Sequence, residues 1–482
     1  MYRSRLTLAL TLAGLAAILV PAKLDASGGP ETLWTRAYGG PRGDVGMAVF
    51  ETADSGYMVI GSTFSFGAGA EDIYLVRTDR NGDTLWTRTY GTPEYNQTET
   101  ALPTHDGGYV VVGSLGVSGN CRGLVLKIDA AGESLWAREY PEVYVLHGAC
   151  QLSDGRYVIT GATADYPEDV WLAQLDSVGE VLWSKRYGGS DEDWGWTVLQ
   201  NPDGGYIIAG MTESFGAGYN DFYLIRTDSS GDTLWTRTYG GTGCEAPCQM
   251  TRSADGGYLI VGGSNPDLLY TDAYLVRTDS GGDTLWTRRY GGPWEDLAQD
   301  VVAVDGGYVV LGYCGWFSPE SSDVWLIGLN DRGDTVWTRT YGGRGREIGY
   351  GLRRVSDGGL VITGWTTSFG AGGADVYLVR TDSSGNVAVA EPKASPARAP
   401  ALSLTCTPNP ASGSVTISLS PSIPLSLSPV LRIYDSQGRM VLSRPVSTSS
   451  FPLSTSALPS GAYFVRLDAA GQRVTTRIVL QH

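Results

Sequence analysis

From about residue 30 onward the chain alternates between short apolar runs and clusters of Gly, Asp, Asn and Ser, with no run of helical period. In the first complete unit the pattern predicts strands at 44–53, 57–64, 72–78 and 84–90, here named a, b, c and d. Asp54-Ser55-Gly56 joins a to b and Asp79-Arg80-Asn81-Gly82-Asp83 joins c to d, with Gly supplying the positive φ that tight hairpins need. Tyr109 to Gly113 is unbroken apolar, the mark of a strand covered on both faces.

The unit repeats. Leu-Trp-Thr-Arg, intact or slightly altered, places Trp at 34, 86, 136, 183, 235, 286 and 337. Asp-Gly-Gly-Tyr places its aromatic at 57, 109, 157, 206, 258 and 308, with Leu360 in the last copy. Asp-x-Tyr-Leu-Val-Arg-Thr-Asp recurs once per unit, weakly at 123–129, 169–176 and 323–330. A period near 50 residues with four strands per unit predicts an all-β chain built as a β-propeller. The chain opens on a d-type segment, Thr32 to Tyr38, and its last unit (347–382) lacks one. The first segment is therefore expected to complete the last blade, giving a closed seven-bladed ring.

Tyr-Gly-Gly, Asp-Gly-Gly-Tyr and Ser-Phe-Gly-Ala-Gly resemble seven-bladed propeller repeats of secreted bacterial proteins, and the repeat is similar to kelch and quinoprotein-type blades. Beyond an Ala/Pro-rich linker at 388–402, residues 403–482 read as a small Ig-like β-sandwich. Pro408-Asn409-Pro410, Ile433-Tyr434-Asp435 with Gly438-Arg439, Leu458-Pro459-Ser460-Gly461 and Thr475 to Val479 resemble the C-terminal sorting domain of type IX secretion. That resemblance implies handling by the type IX machinery and a secreted or surface location. The propeller is expected to span 27–387.

Arg3, Arg5 and the apolar stretch Leu6 to Val20 predict a signal peptide over 1–26, and no later segment reads as a membrane-spanning helix. The formal charge is −16; residues 1–26 carry +2 and 400–482 carry +4, leaving −22 on 27–399. So acidic a body argues against nucleic acid and anionic membranes as partners. In an exported chain, Cys244 with Cys248, or Cys121 with Cys150, are open candidates for disulfides.

No catalytic constellation, metal set or cofactor motif is recognised. The Asp79–Asp83, Asp228–Asp232 and Asp279–Asp283 loops read as hairpin turns rather than calcium loops. Of three histidines, His147 alone approaches the axis. In a four-stranded blade the d–a and b–c loops share one face, and being variable they are the expected binding face. Six residues after the Tyr ending strand d stand Asp44, Asn96, Leu146, Asp193, Glu245, Asp296 and Glu347. They read either as an acidic mouth for cationic ligands or as turn caps accepting local N–H groups. Trp194, Trp294, Trp316 and Phe317 on the same face could stack on sugars or pack between loops. The expected function is a binding or adhesion module for glycan or protein. The alternatives are a polysaccharide-active enzyme using Asp and Glu of this face, and a structural surface protein.

Overall fold

The computed structural model describes residues 34–117, 120–266, 270–316, 322–386, 403–408, 411–420, 430–435, 439–446, 450–469 and 472–481. The signal peptide expected at 1–26 and the linker at 388–402 lie outside them. The chain divides into two compact units, within 1–389 and 390–482.

Among the described residues, the first unit forms seven four-stranded antiparallel sheets, each in the order a-b-c-d. In blade one these are Asp44–Glu51, Tyr57–Thr63, Asp72–Thr78 and Thr84–Tyr90. Strands b and c are buried throughout, whereas d alternates between exposed and half-buried, as an outer strand must. The ring closes as expected: Trp34–Tyr38 pairs antiparallel with Asp375–Thr381, from Trp34↔Arg380 to Tyr38↔Val376. Tyr38, Val49, Val59, Val361 and Val376 then share one apolar cluster between the last and first blades.

The repeated Trp, Tyr and Gly form one clasp at each junction. Gly82, in the c–d turn of blade one, has φ of 77°. A Cβ there would lie 2.7 Å from the Trp34 ring of the preceding blade. Tyr38 donates its hydroxyl to Gly82 O at 2.7 Å, and Tyr239 to Gly282 O at 2.6 Å. Tyr90, Tyr140, Tyr187, Tyr290 and Tyr341 do the same to Gly132, Gly179, Gly231, Gly333 and Gly385. Tyr239→Phe removes one such bond and leaves a buried carbonyl unmet. It is expected to lower stability by about 1 kcal/mol, measured as a fall in the urea midpoint.

The hairpin reading of the Asp loops also holds. Asp79 Oδ1 accepts from the N–H of Asn81 at 2.8 Å and of Asp83 at 2.9 Å, and Asp228 and Asp279 repeat the pattern. The Asp-Gly-Gly-Tyr aspartates have a second task. In five blades they pair with the buried cation of strand c, as in Lys127–Asp106 at 3.0 Å and Arg277–Asp255 at 2.6 Å, whereas blades three and six carry Gln174 and Gly328 at that place.

The second unit is a β-sandwich. One sheet orders Ser403–Thr407, Ser414–Ser420 and Ser450–Ser454; the other orders Met440–Pro445, Val430–Tyr434, Gly461–Ala469 and Gln472–Leu480. Leu404, Val415, Ile417 and Leu453 of the first meet Leu431, Ile433, Val465 and Ile478 of the second in one core. No described helix is long and apolar enough to cross a membrane.

Candidate functional site

Each innermost strand carries a β-bulge, and the bulges build the site. Pairing of strands a and b skips Met47 in blade one (between Gly46 and Ala48), Glu99 in blade two, His147 in blade three and Trp196 in blade four. It skips Cys248, Gln299 and Tyr350 in blades five to seven. A bulge leaves its residue outside the ladder and re-aims its side chain. All seven line one cavity of about 500 Å³ on the propeller axis. The cavity extends past Cys244 to Asn265 and Thr271, which flank the b–c loop of blade five, so it reaches toward the d–a/b–c face.

The ring is chemically uneven. His147 stacks on Trp196, with centroids 4.2 Å apart and planes at 18°, and lies 6.0 Å from Trp194. Its Nδ1 is 3.4 Å from Glu99 Oε2. Nε2 of His147 and Nε1 of both tryptophans are buried without a hydrogen-bond partner. Burial pushes up the Tyr350 phenol, and the nearby Cys248 and Glu99 add to it. Burial also pushes the Cys248 thiol up to about 12, which keeps it protonated. Asp300 and Arg353 on the wall satisfy each other at 2.8 Å, and Asp300 also accepts from Leu352 N and Val301 N. The uneven ring can therefore offer flat rings, a carboxylate, an amide and unmet polar nitrogens to one asymmetric ligand.

The acidic position turns out as a cap. Asp44, Asp193, Glu245, Asp296 and Glu347 are at most 3% exposed, so they do not form an open mouth. Each accepts the N–H four residues before it: Gly40 at 2.7 Å, Gly189 at 2.9 Å, Gly241 at 2.9 Å, Gly292 at 2.6 Å and Gly343 at 2.9 Å. Leu146 is not the blade-three equivalent. It directly precedes the bulge, and Val143 pairs with Thr163 as Asp193 pairs with Thr212, so blade three puts an apolar residue, not a cap, at that position. Of the aromatics, Trp194 reaches the axial group. Trp294 stands edge-on to Tyr270 at 5.8 Å, and Trp316 packs against Trp365 at 6.2 Å beneath Arg346. Phe317 lies outside the described residues.

Neither disulfide forms. Cys244 and Cys248 lie on one extended strand, Cys244–Arg252, too far apart to bond, and Cys121 and Cys150 are likewise free. The sequence reading missed Met47, Glu99, Trp196, Cys248, Gln299 and Tyr350. Each bulge residue precedes the aromatic of the Asp-Gly-Gly-Tyr marker by ten residues, or nine in blade six, so the column was there to be found.

Comparison with known proteins agrees with this division. Residues 406–481 match the family described as the secretion system C-terminal sorting domain. A 196-residue stretch is 27% identical to the regulatory protein FlaEY of Caulobacter vibrioides, covering 35% of this chain and 20% of that protein's length. Among solved structures, PorZ of Porphyromonas gingivalis, a surface component of the type-IX secretion system, aligns at 12% identity and TM-score 0.44, covering 93% of this chain and 61% of PorZ. The polysaccharide lyase Uly1 aligns at 12% identity and TM-score 0.45, covering 76% of this chain and 94% of the lyase. The chain is a β-propeller joined to a C-terminal sorting domain of type IX secretion, and it is a secreted, cell-surface protein.

Proposed function

We propose that the exported propeller is a glycan-binding module whose ligand enters the axial cavity from the d–a/b–c face. The carrying observation is the bulge ring: seven otherwise similar blades place seven different residue types there, facing one cavity. A sevenfold repeat needs no such variety to fold, whereas a single asymmetric ligand does. The volume of about 500 Å³ lies in the range of small-molecule sites and suits one or two sugar rings. Exposed rings on the same face, among them Phe66, Tyr219, Tyr270 and Phe369, extend a stacking surface outward for a longer chain. Glu99 stands on the ring while Arg353 is neutralised by Asp300, which favours neutral or amino sugars over uronates.

A second reading has one observation behind it. With Nδ1 turned to Glu99, the unpartnered Nε2 of His147 has the arrangement of a general base. The test is a glycan array on the full chain, followed by a turnover assay on every hit. Trp196→Ala is expected to weaken binding at least about tenfold while leaving the thermal midpoint near the parent's. A ligand that binds the variant as well as the parent would remove the axial cavity from the proposal, and capture of proteins alone would replace glycan by protein.

A further inference from the structure

We propose that carboxylates facing each other across five of the seven blade junctions take up protons on mild acidification, making the ring more stable near pH 5 than near pH 7.5. Asp375 opens strand c of blade seven and Asp44 opens strand a of blade one. A Cβ on Gly39, which lies between them, would fall 2.1 Å from Asp375 Oδ1 and 2.5 Å from Asp44 Oδ2. The arrangement recurs with Gly188 between Asp169 and Asp193, and with Gly240 between Asp221 and Glu245. It recurs again with Gly291 between Asp272 and Asp296, and with Gly342 between Asp323 and Glu347. Only glycine fits there, because two carboxylates fill the space a side chain would need.

The hydrogen bonding of these joints is incomplete. Asp375, Asp221 and Asp193 are at most 2% exposed, and Oδ1 of each is buried without a partner. An unmet carboxylate oxygen opposite a second negative charge is doubly costly, and one proton relieves both costs. Nearby charge does not cancel this everywhere. Tyr74 faces Asp375 and Asp44, and Tyr377 faces Asp323 and Glu347; neither brings positive charge. Arg186 acts on Asp169, beside Asp165. Tyr223 and Glu213 face Asp193 in that joint. Arg289 acts on Asp272 and sits 3.6 Å from Glu245, near Tyr274, while Glu295 adds negative charge at Asp296.

Burial, followed by the facing carboxylate, pushes Asp375 and Asp169 up. Burial also raises Asp221 and Asp272, and lifts Asp296 to about 6. A carboxyl raised in the folded state contributes stability that is fully present below its ordinary value of about 3.9. That contribution is lost as pH rises through the raised value, near 6 for Asp296. The a–b turn acids act in another window. Hydrogen bonds from Thr52 and Arg77 hold Asp54 down to about 2, so its contribution fades only below the ordinary carboxylate range.

The first junction is a natural control, because Gly91 lies between Asp72 and the neutral Asn96. The experiment is thermal unfolding of the full chain at pH 5, 6 and 7.5 for the parent, Asn96→Asp and Asp296→Asn. The parent midpoint is expected to rise by several degrees from pH 7.5 to 5. Asn96→Asp, which builds a sixth pair, should melt below the parent at pH 7.5 and close the gap at pH 5. Asp296→Asn should flatten the dependence. A parent midpoint that stays level or falls on acidification, or an Asn96→Asp gap constant with pH, overturns the proposal. Should Asn96→Asp fold at neither pH, Asp296→Asn decides: a reduced slope supports it and an unchanged slope overturns it.

Discussion

Removing residues 34–38 is expected to abolish cooperative unfolding of the propeller and drive it into aggregates. The deletion strips the outer strand from the last blade and uncovers the edge of Asp375–Thr381, whose residues are all buried. It also takes Trp34 off Gly82 and the Tyr38 hydroxyl off Gly82 O, so the first blade loses its clasp. Each aromatic buries roughly 150–250 Å² in such a site, worth several kcal/mol at about 25 cal/mol per Å². A whole domain is stable by only about 5–15 kcal/mol, and a bare strand edge recruits other chains. The companion construction restores the strand from the other end. Asp382 to Asn386 already forms the c–d hairpin, with Asp382 N donating to Asn386 O at 2.8 Å. Segment 32–38 appended after Asn386 should therefore return a monomer with a sharp transition. Gel filtration and circular dichroism decide; a deleted chain that melts as sharply as the parent would show that the ring does not depend on this closure.

The closure was legible because its signals are local and bulky. Trp, Tyr and Gly each serve a contact that every junction repeats, so any copy lacking its Trp announces a missing strand. Blade one matches the pattern closely for the same reason: Asp54 and Asp79 supply the side-chain acceptors of its turns and Gly82 the positive φ of the second, although in Asp-Ser-Gly the positive φ falls on Ser55, at 62°, rather than on Gly56. The acidic column was visible too, but its meaning was not. Its recurrence shows a demand for carboxylate, whereas the partner across the glycine comes from the preceding blade, far off in sequence. The i to i−4 cap was the local half of the answer and proved the correct one.

The axial site was hidden by the method that revealed the fold. Repeats are recognised where copies agree, and the bulge residues are where they differ. Glu99 and His147 are 48 positions apart in the chain and become neighbours only when adjacent innermost strands converge on the axis. Counting from Tyr140 also misplaced blade three, whose short d–a loop moves that position to the apolar Val143. Counting back from Tyr157, in the rigid a–b hairpin, lands on His147 as it lands on Glu99 from Tyr109.

Ile433→Asp is expected to abolish surface delivery while leaving the propeller's unfolding unchanged. Ile433 is fully buried in the sandwich core, among apolar side chains that both sheets supply. A carboxylate among those apolar side chains costs several kcal/mol. A domain of this size has little stability to spare, so the sandwich should unfold, and with it the surface that the secretion machinery handles. The propeller's apolar clusters share no residue with that core. All 14 tryptophans precede residue 403, so their fluorescence reports the propeller alone. Protease shaving of intact cells measures delivery, and Ile433→Val serves as the control that keeps the core apolar. Delivery equal to the parent's would mean that the machinery reads an unfolded tail. A tryptophan transition displaced by the substitution would mean that the two units do not unfold independently.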